Sequence, residues 1–462
     1  MGYKIEYSDD KVSAWGGFSV MKNFNDKIGL RTILRDLPIP ESTSNNRYEK
    51  EDLIESFLLS VWLGCYKFSH THALRLDDTL KQIFEWKQIP SDTTYKRFFQ
   101  KFNQGINNEV FPALQEWFFN QLQFNNYALD LDSTVITRYG DLQEGNHKGY
   151  NPTKRGRASH HPLFAFLGNE RMVVNSWLRS GDTSSAHQCT EFLNETLSIL
   201  KNKTIGLLRA DSGFASDAIF KHLEQKQINY VIAGRMHVAI QDKIRQLKTW
   251  NAIGLGIWIS ETEYKATKWD APRRVIVIRQ SVDSRPKATG KKLKLFDDKE
   301  YYQQYRYHTF YTNQKLPATQ IWEQYKGRGD CENRIKELKY DFALEGFNMK
   351  DFFATEAALR MVNLAYNIIS LFRQVSSEKP QHQRLQTLRL KHTNKTRQYS
   401  QRLFLLMHTR PLFKHRYKQT ANIHKRQTYL HNHNLHTHES RCNHTHSKIA
   451  RPTSPPTNVH RC

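Results

Sequence analysis

The hydrophobic pattern changes period at Tyr127, and that change constrains the fold more than any other feature of this 462-residue chain. Upstream, from Tyr48 to about Asn120, apolar residues recur at helical spacing, as in Leu53, Phe57, Leu58, Val61 and Trp62, then Trp117 and Phe118, with Pro90 and Pro112 as breakers. From Tyr127 the alternation is strict. Tyr127, Leu129 and Leu131 share one face of an expected strand, Ala128, Asp130 and Asp132 the other, and the β-branched run to Thr137 follows. A helical N-terminal domain, residues 1–125, therefore precedes a sheet. Ser91 suits the N-cap of a short helix bearing Lys96, Arg97 and Lys101, the composition of a DNA-contacting helix or of an ordinary surface helix.

Beyond Thr137 a Gly- and Lys/Arg-rich loop, Gly140 to Ser159, leads to two apolar runs, Pro162 to Leu167 and Arg171 to Leu178, whose Gly168-Asn169 junction signals a hairpin. A helix from about Ser184 to Leu200, a strand Ile205 to Arg209, a helix Ser216 to Gln225 and a strand Tyr230 to Ala233 complete a β-β-β-α-β-α-β order, which describes an α/β fold with a mixed sheet. Residues 236–312 read as an inserted all-β module, with strands at Ile257 to Tyr264, Arg274 to Gln280 and Tyr301 to Tyr311. Helical periodicity returns from Thr319 to about Gln374. Residues 376–462 form a basic, His-rich tail: after Lys391 there is no Gly or Asp and one Glu, a composition that cannot bury a core, so disorder is expected. The abrupt change suggests a reading-frame shift near the natural C-terminus.

The chain carries +24, which points to a polyanionic partner, nucleic acid ahead of a membrane surface. The charge is uneven: residues 381–462 hold 16 Lys/Arg against Glu439, so the body is only moderately basic. The most apolar window, Ser56 to Tyr66, is too short to span a bilayer, and the N-terminus lacks a secretory pattern, so a cytoplasmic chain is expected. Five scattered cysteines without a CxxC signal neither a disulfide framework nor a thiolate zinc site.

The chemistry concentrates in carboxylates. Asp130 and Asp132 share one strand face, Asp211 closes a second strand in the run RADSGF, and Glu332 lies in the C-terminal helical segment. Tyr325, Arg328, Glu332 and Lys339 fall, at ~100° per residue, inside one arc of about 60° on a helix. A phenol, a guanidinium, a carboxylate and an ammonium side by side make a poor core stripe and a good phosphodiester clamp. Gly327 and Gly329 weaken the first turn of that helix by about 1 kcal/mol each. Three acids from separate elements suit two Mg²⁺ ions flanking a scissile phosphate. Lys148, Lys154, Arg155 and Arg157 lie in the Gly-rich loop near the same edge and could grip a phosphate backbone, or be a solvated basic loop. Trp258 and Trp269 could stack on an unpaired base, with sheet packing the plainer reading.

The spacing Tyr325-x2-Arg328-x3-Glu332-x6-Lys339 resembles the Tyr-Arg-Glu-Lys signature of bacterial insertion-sequence transposases of the DDE type. LDLDSTV, GYNPTKRGRASHHPL and RADSGF resemble, in that order, the other blocks of its DDE domain group 1 subgroup, and the similarity spans residues 45–375. The resemblance implies a ribonuclease H-like core, residues 126–235 and 313–375, interrupted by the β-rich insertion. It implies cut-and-paste transposition with Mg²⁺, Mn²⁺ being a substitute. Asp132, Asp211 and Glu332 would be the catalytic metal ligands, with Asp130 as the alternative to Asp132. Tyr325, Arg328 and Lys339 would handle the cut-strand phosphate. The implied partners are double-stranded DNA, as terminal inverted repeats and target, and a second copy of the chain in a synaptic homodimer at the nucleoid. Two rivals stand beside this reading: a ribonuclease H-like nuclease without strand transfer, and a non-catalytic DNA-binding derivative.

Overall fold

The helical spacing upstream of Tyr127 resolves into α1 (Ser19–Ile28), α2 (Leu30–Asp36), α3 (Lys50–Leu63), α4 (Asp78–Ile83), α5 (Asp92–Phe99) and α6 (Gln104–Asn120). These come from a computed structural model that describes residues 13–122, 126–292, 304–376 and 383–393, all within the unit Met1–Thr409. Ser91 caps α5 by accepting the Thr94 amide at 3.2 Å. Pro112 does not break the chain as expected; it sits inside α6, where the loss of one amide is absorbed by burial of Phe111, Leu114 and Phe118.

The alternation at Tyr127 forms β1 (Tyr127–Ser133). The Gly-rich segment is not a bare loop: β2 (Ile136–Thr137), β3 (His147–Lys148) and β4 (Ala158–His160) pair antiparallel in the order β2-β4-β3. The hairpin β5 (Leu163–Leu167) and β6 (Met172–Trp177) follows, then α7 (Cys189–Ile199), β7 (Ile205–Ala210), α8 (Asp217–Gln225) and β8 (Tyr230–Ala233). β5 is antiparallel to β6 and β1, while β1, β7 and β8 are parallel. The spatial order β6-β5-β1-β7-β8 with these directions is a ribonuclease H-like core. α7 starts later than its periodicity suggests, because the Arg179 guanidinium draws in the carbonyls of Ser184 and His187 at 3.0 and 3.1 Å and holds those residues outside the helix.

Residues 236–312 are not purely β. They open with α9 (Val238–Arg245) and continue as β9 (Asn251–Gly254), β10 (Ile257–Tyr264), β11 (Arg273–Ser281) and β12 (Tyr305–Thr312). Nor do they form a separate module: β12 pairs with β8 through Phe310, Tyr311 and Thr312, so one nine-stranded sheet runs from β6 to β9. Trp269 packs on Phe220, Tyr264 and Tyr311, and Trp258 lies edge-on to Tyr305, so both take the packing role.

The C-terminal helical stretch is broken. α10 (Ala318–Lys326) runs into a 3-10 turn, Gly327–Asp330, before α11 (Cys331–Asp341), α12 (Phe352–Ser376) and α13 (Leu385–Thr393). α12 is buried all round from Ala354 to Arg373, as a central helix must be. It packs against β6 and against α3 and α6 of the N-terminal segment, and Trp62 Nε1 donates to Ala365 O at 3.0 Å. β6 is an edge strand whose free backbone groups need partners. Asn367 supplies them, its Oδ1 accepting from Val173 N at 2.8 Å and its Nδ2 donating to Val173 O at 2.7 Å. α13 corrects the expectation of disorder from residue 376: Leu385 is buried, and Arg384 and Arg389 bond Asp341. The rest of the tail, from residue 394, lies outside the described residues. No helix among the described residues is long and apolar enough to cross a membrane.

Candidate active site

The site begins as a register. β1 lies parallel to β7 with Asp130 opposite Arg209 and Leu131 opposite Ala210, so the next step sets Asp132 opposite Asp211 at the carboxyl ends of both strands. The two aspartates of LDLDSTV then meet different neighbours. Asp130 is fully buried and doubly paired: Arg209 grips it in a fork, Nε to Oδ1 at 2.6 Å and Nη2 to Oδ2 at 2.9 Å, and Arg334 Nη1 adds a bond at 2.9 Å. Both arginines reach on, Arg209 Nη1 to Gln324 O at 2.9 Å and Arg334 Nη2 to Gly168 O at 2.6 Å. Asp130 is thus an anchor that ties α10 and α11 to the sheet, and its oxygens are engaged by cations. A buried carboxylate held this way is costly to strip of a partner.

Asp132, 7% exposed, sits one pleat further along. Its Oδ1 accepts the Ser133 amide at 2.9 Å, and Arg328 Nη2 stands 3.3 Å from Oδ2. Burial pushes its carboxyl up to about 6; Arg328 opposes the rise and the nearby Asp211 charge adds to it. Asp211 caps the turn Ser212–Phe214, its Oδ1 accepting from Gly213 N at 2.8 Å. Burial works against the Arg328 cation, but Asp132, Tyr325 and Asp211 outweigh it and its pKa rises. Burial also raises the Tyr325 phenol, whose ring packs on Phe310 with centroids 4.4 Å apart.

Four of the expected residues, Asp132, Asp211, Tyr325 and Arg328, therefore share one electrostatic neighbourhood. Glu332 does not join them. Among the described residues no three His, Cys, Asp or Glu side chains are gathered closely enough to hold a metal ion. The reason lies in the 3-10 turn, which resets the helical phase. The buried Cys331 thiol lies beside Asp132, and Glu332, turned by about 100° from it, is exposed. The continuous helical face drawn from Tyr325 to Lys339 is thus replaced by two helices of different phase. In this conformation Asp132 and Asp211 stand as a pair of carboxylates with an arginine beside Asp132, and Glu332 stands apart from them.

Lys339 lies further along α11, bonding Val135 O at 2.7 Å and Glu345 Oε1 at 2.7 Å, so it pins the chain just after β1. Lys148, Lys154, Arg155 and Arg157 are exposed on the small sheet and its loop. That sheet is joined to the acids by His161, which follows β4. His161 Nδ1 lies 2.6 Å from Thr183 O and can only donate there, so Nε2 accepts from Ser133 Oγ at 3.1 Å, which in turn meets Ser185 Oγ at 3.0 Å. Burial lowers the His161 pKa and keeps the ring neutral for this role. Arg209, Arg334, His161 and Ser185 were not singled out from the sequence. The signal for Arg209 was present, since Arg209-x-Asp211 repeats the spacing of Asp130-x-Asp132 and pairs with it in parallel register.

A profile of the family described as Transposase DDE domain group 1 matches residues 4–425. The chain belongs to this family. For this transposase-family chain, the match continues past Lys391, through the first part of the region whose composition changes, against the expectation that the resemblance ends there. No curated protein matches the chain. Among solved structures it is similar to a piggyBac transposase synaptic complex with hairpin DNA, at 12% identity and a TM-score of 0.42, over 85% of this chain and 82% of that one.

Proposed function

We propose that this protein cuts phosphodiester bonds at the terminal inverted repeats of a bacterial insertion sequence and joins the freed 3′ ends to target DNA, acting as a homodimer at the nucleoid. One observation carries the reading: in a chain of this family, the register of β1 on β7 brings Asp132 and Asp211 to the carboxyl edge of parallel strands, with Arg328 Nη2 3.3 Å from Asp132 Oδ2. Arg328 and Tyr325 are the groups for the scissile phosphate, and Lys339 fixes the segment beside it. The family's divalent ion, Mg²⁺ with Mn²⁺ as substitute, would take oxygen ligands of the kind Asp132 and Asp211 offer, and Glu332 is the proposed third acid.

The test is incubation of the protein with DNA bearing the element's own ends, with and without Mg²⁺, read on a denaturing gel. Asp211→Ala should lose cleavage while end binding stays nearly intact; nicking by that variant at the wild-type rate refutes the assignment. Pre-cut 3′ ends then separate a transposase from a nuclease that cannot join. A second reading, a non-catalytic DNA-binding derivative, is favoured by the Arg328–Asp132 pair and the outward Glu332. Metal-dependent nicking by the wild-type protein excludes it.

A further inference from the structure

The small sheet β2-β4-β3 and its loop carry an unusual surface. Of the nine large hydrophobic side chains exposed among the described residues, three fall between positions 139 and 150: Tyr139 at 67%, Leu142 at 77% and Tyr150 at 73%. Single exposed apolar side chains need no explanation, but three within twelve positions of one loop region invite one. Lys148, Lys154, Arg155 and Arg157 stand in the same stretch, and none of the four is ion-paired among the described residues. Cation and ring meet directly, with Lys154 Nζ 5.2 Å from the centre of the Tyr139 ring.

The mount beneath is firm. Arg138 is buried and donates to His160 Nδ1 at 3.0 Å and to Glu345 O at 2.9 Å. Asn151 donates to Thr137 Oγ1 at 3.0 Å and accepts from Lys154 N at 2.9 Å, which ties the Tyr150 turn to β2. Glu144 accepts from Phe352 N at 2.9 Å, joining the loop to the start of α12. Directly after β4 the chain bonds the residues that follow Asp132: Thr134 N donates to Pro162 O at 3.1 Å, and His161 Nε2 accepts from Ser133 Oγ at 3.1 Å.

Duplex DNA presents phosphates and covered bases, for which cations alone suffice. Exposed rings set among unpaired cations match a strand whose bases are unstacked, because every base offers a π-face to an aromatic side chain. We propose that this small sheet is a platform for unpaired DNA, with Tyr139 and Tyr150 stacking on bases and Lys148, Lys154, Arg155 and Arg157 holding phosphates. An opened strand end is thereby led toward Asp132 and Asp211. The inference rests on the transposition reading and deepens it by naming the form of DNA gripped beside the acids.

The experiment is fluorescence anisotropy of the full chain, without divalent metal, on an oligothymidylate and on a duplex of equal length. Replacing both rings (Tyr139→Ala with Tyr150→Ala) should weaken single-strand binding about tenfold or more and duplex binding far less. Tyr139→Phe with Tyr150→Phe keeps the rings and should keep the affinity, which separates stacking from misfolding. Arg155→Ala with Arg157→Ala should weaken both forms and flatten the salt dependence. Equal losses on both DNA forms after ring removal, or wild-type binding to duplex alone, overturn the platform and leave the transposition reading standing. Failure of the wild-type protein to bind either form overturns both.

Discussion

Two carboxylates two residues apart keep different company. Asp130 has two arginines on it, whereas Asp132 shares Arg328 with Asp211 and is raised to about 6, chiefly by burial. A carboxyl raised in the folded chain keeps its proton where the unfolded chain has lost it. Its contribution to stability is complete below the ordinary value of 3.8 and is lost as pH rises through about 6. Asp132→Asn should remove that loss, flattening the decline in melting temperature from about pH 4 to about pH 7, with a gain of at most about 3 kcal/mol at the upper end. Parallel melting profiles for variant and wild type across this range would contradict the account. The acids of LDLDSTV and RADSGF were legible as strand-end residues. Periodicity leaves both on one face; the reading of Asp130 as structural comes from the resemblance, and its partner Arg209 is not legible in the sequence.

At the scale of the element, the two glycines at the break in the C-terminal helix differ in what surrounds them. A Cβ on Gly327 would lie 2.3 Å from Arg209 Nη1, the guanidinium nitrogen that bonds Gln324 O, whereas a Cβ on Gly329 meets nothing within 4 Å. Gly327→Ala must push Arg209 off Asp130 or unseat the turn, and a loss of about 3 kcal/mol or more is expected in denaturant unfolding. Gly329→Ala should be neutral or stabilising by up to about 1 kcal/mol. Equal effects for the two would remove the explanation. The glycines mark the irregular turn in the sequence, but the packing of Gly327 against an arginine more than a hundred positions upstream is not legible there. The same limit hid the continuation of the sheet: Tyr305–Thr312 reads as a strand by itself, but nothing local says that it pairs with Tyr230–Ala233.

For the whole molecule, α12 is the element on which the N-terminal helices and the sheet meet. The N-terminal helices and the sheet close on the same buried helix, so the part expected to contact DNA and the part carrying the acids share a core. Asn367 secures one wall of it by pairing with both backbone groups of Val173, and Asn367→Ala leaves that amide and carbonyl buried without partners. A loss of about 2 to 4 kcal/mol is expected in chemical unfolding, with the N-terminal helices and the sheet melting in one transition. Two resolved transitions in the wild-type protein would show that the shared core does not couple them. The nine-stranded sheet also fixes a length. Five inter-strand steps separate β7, which ends beside Asp211, from β9. At about 4.8 Å each they amount to about 24 Å, the rise of about seven base pairs of B-form DNA. Because the strands are hydrogen-bonded without interruption, the far margin and the Asp211 edge keep a fixed separation whatever either of them meets.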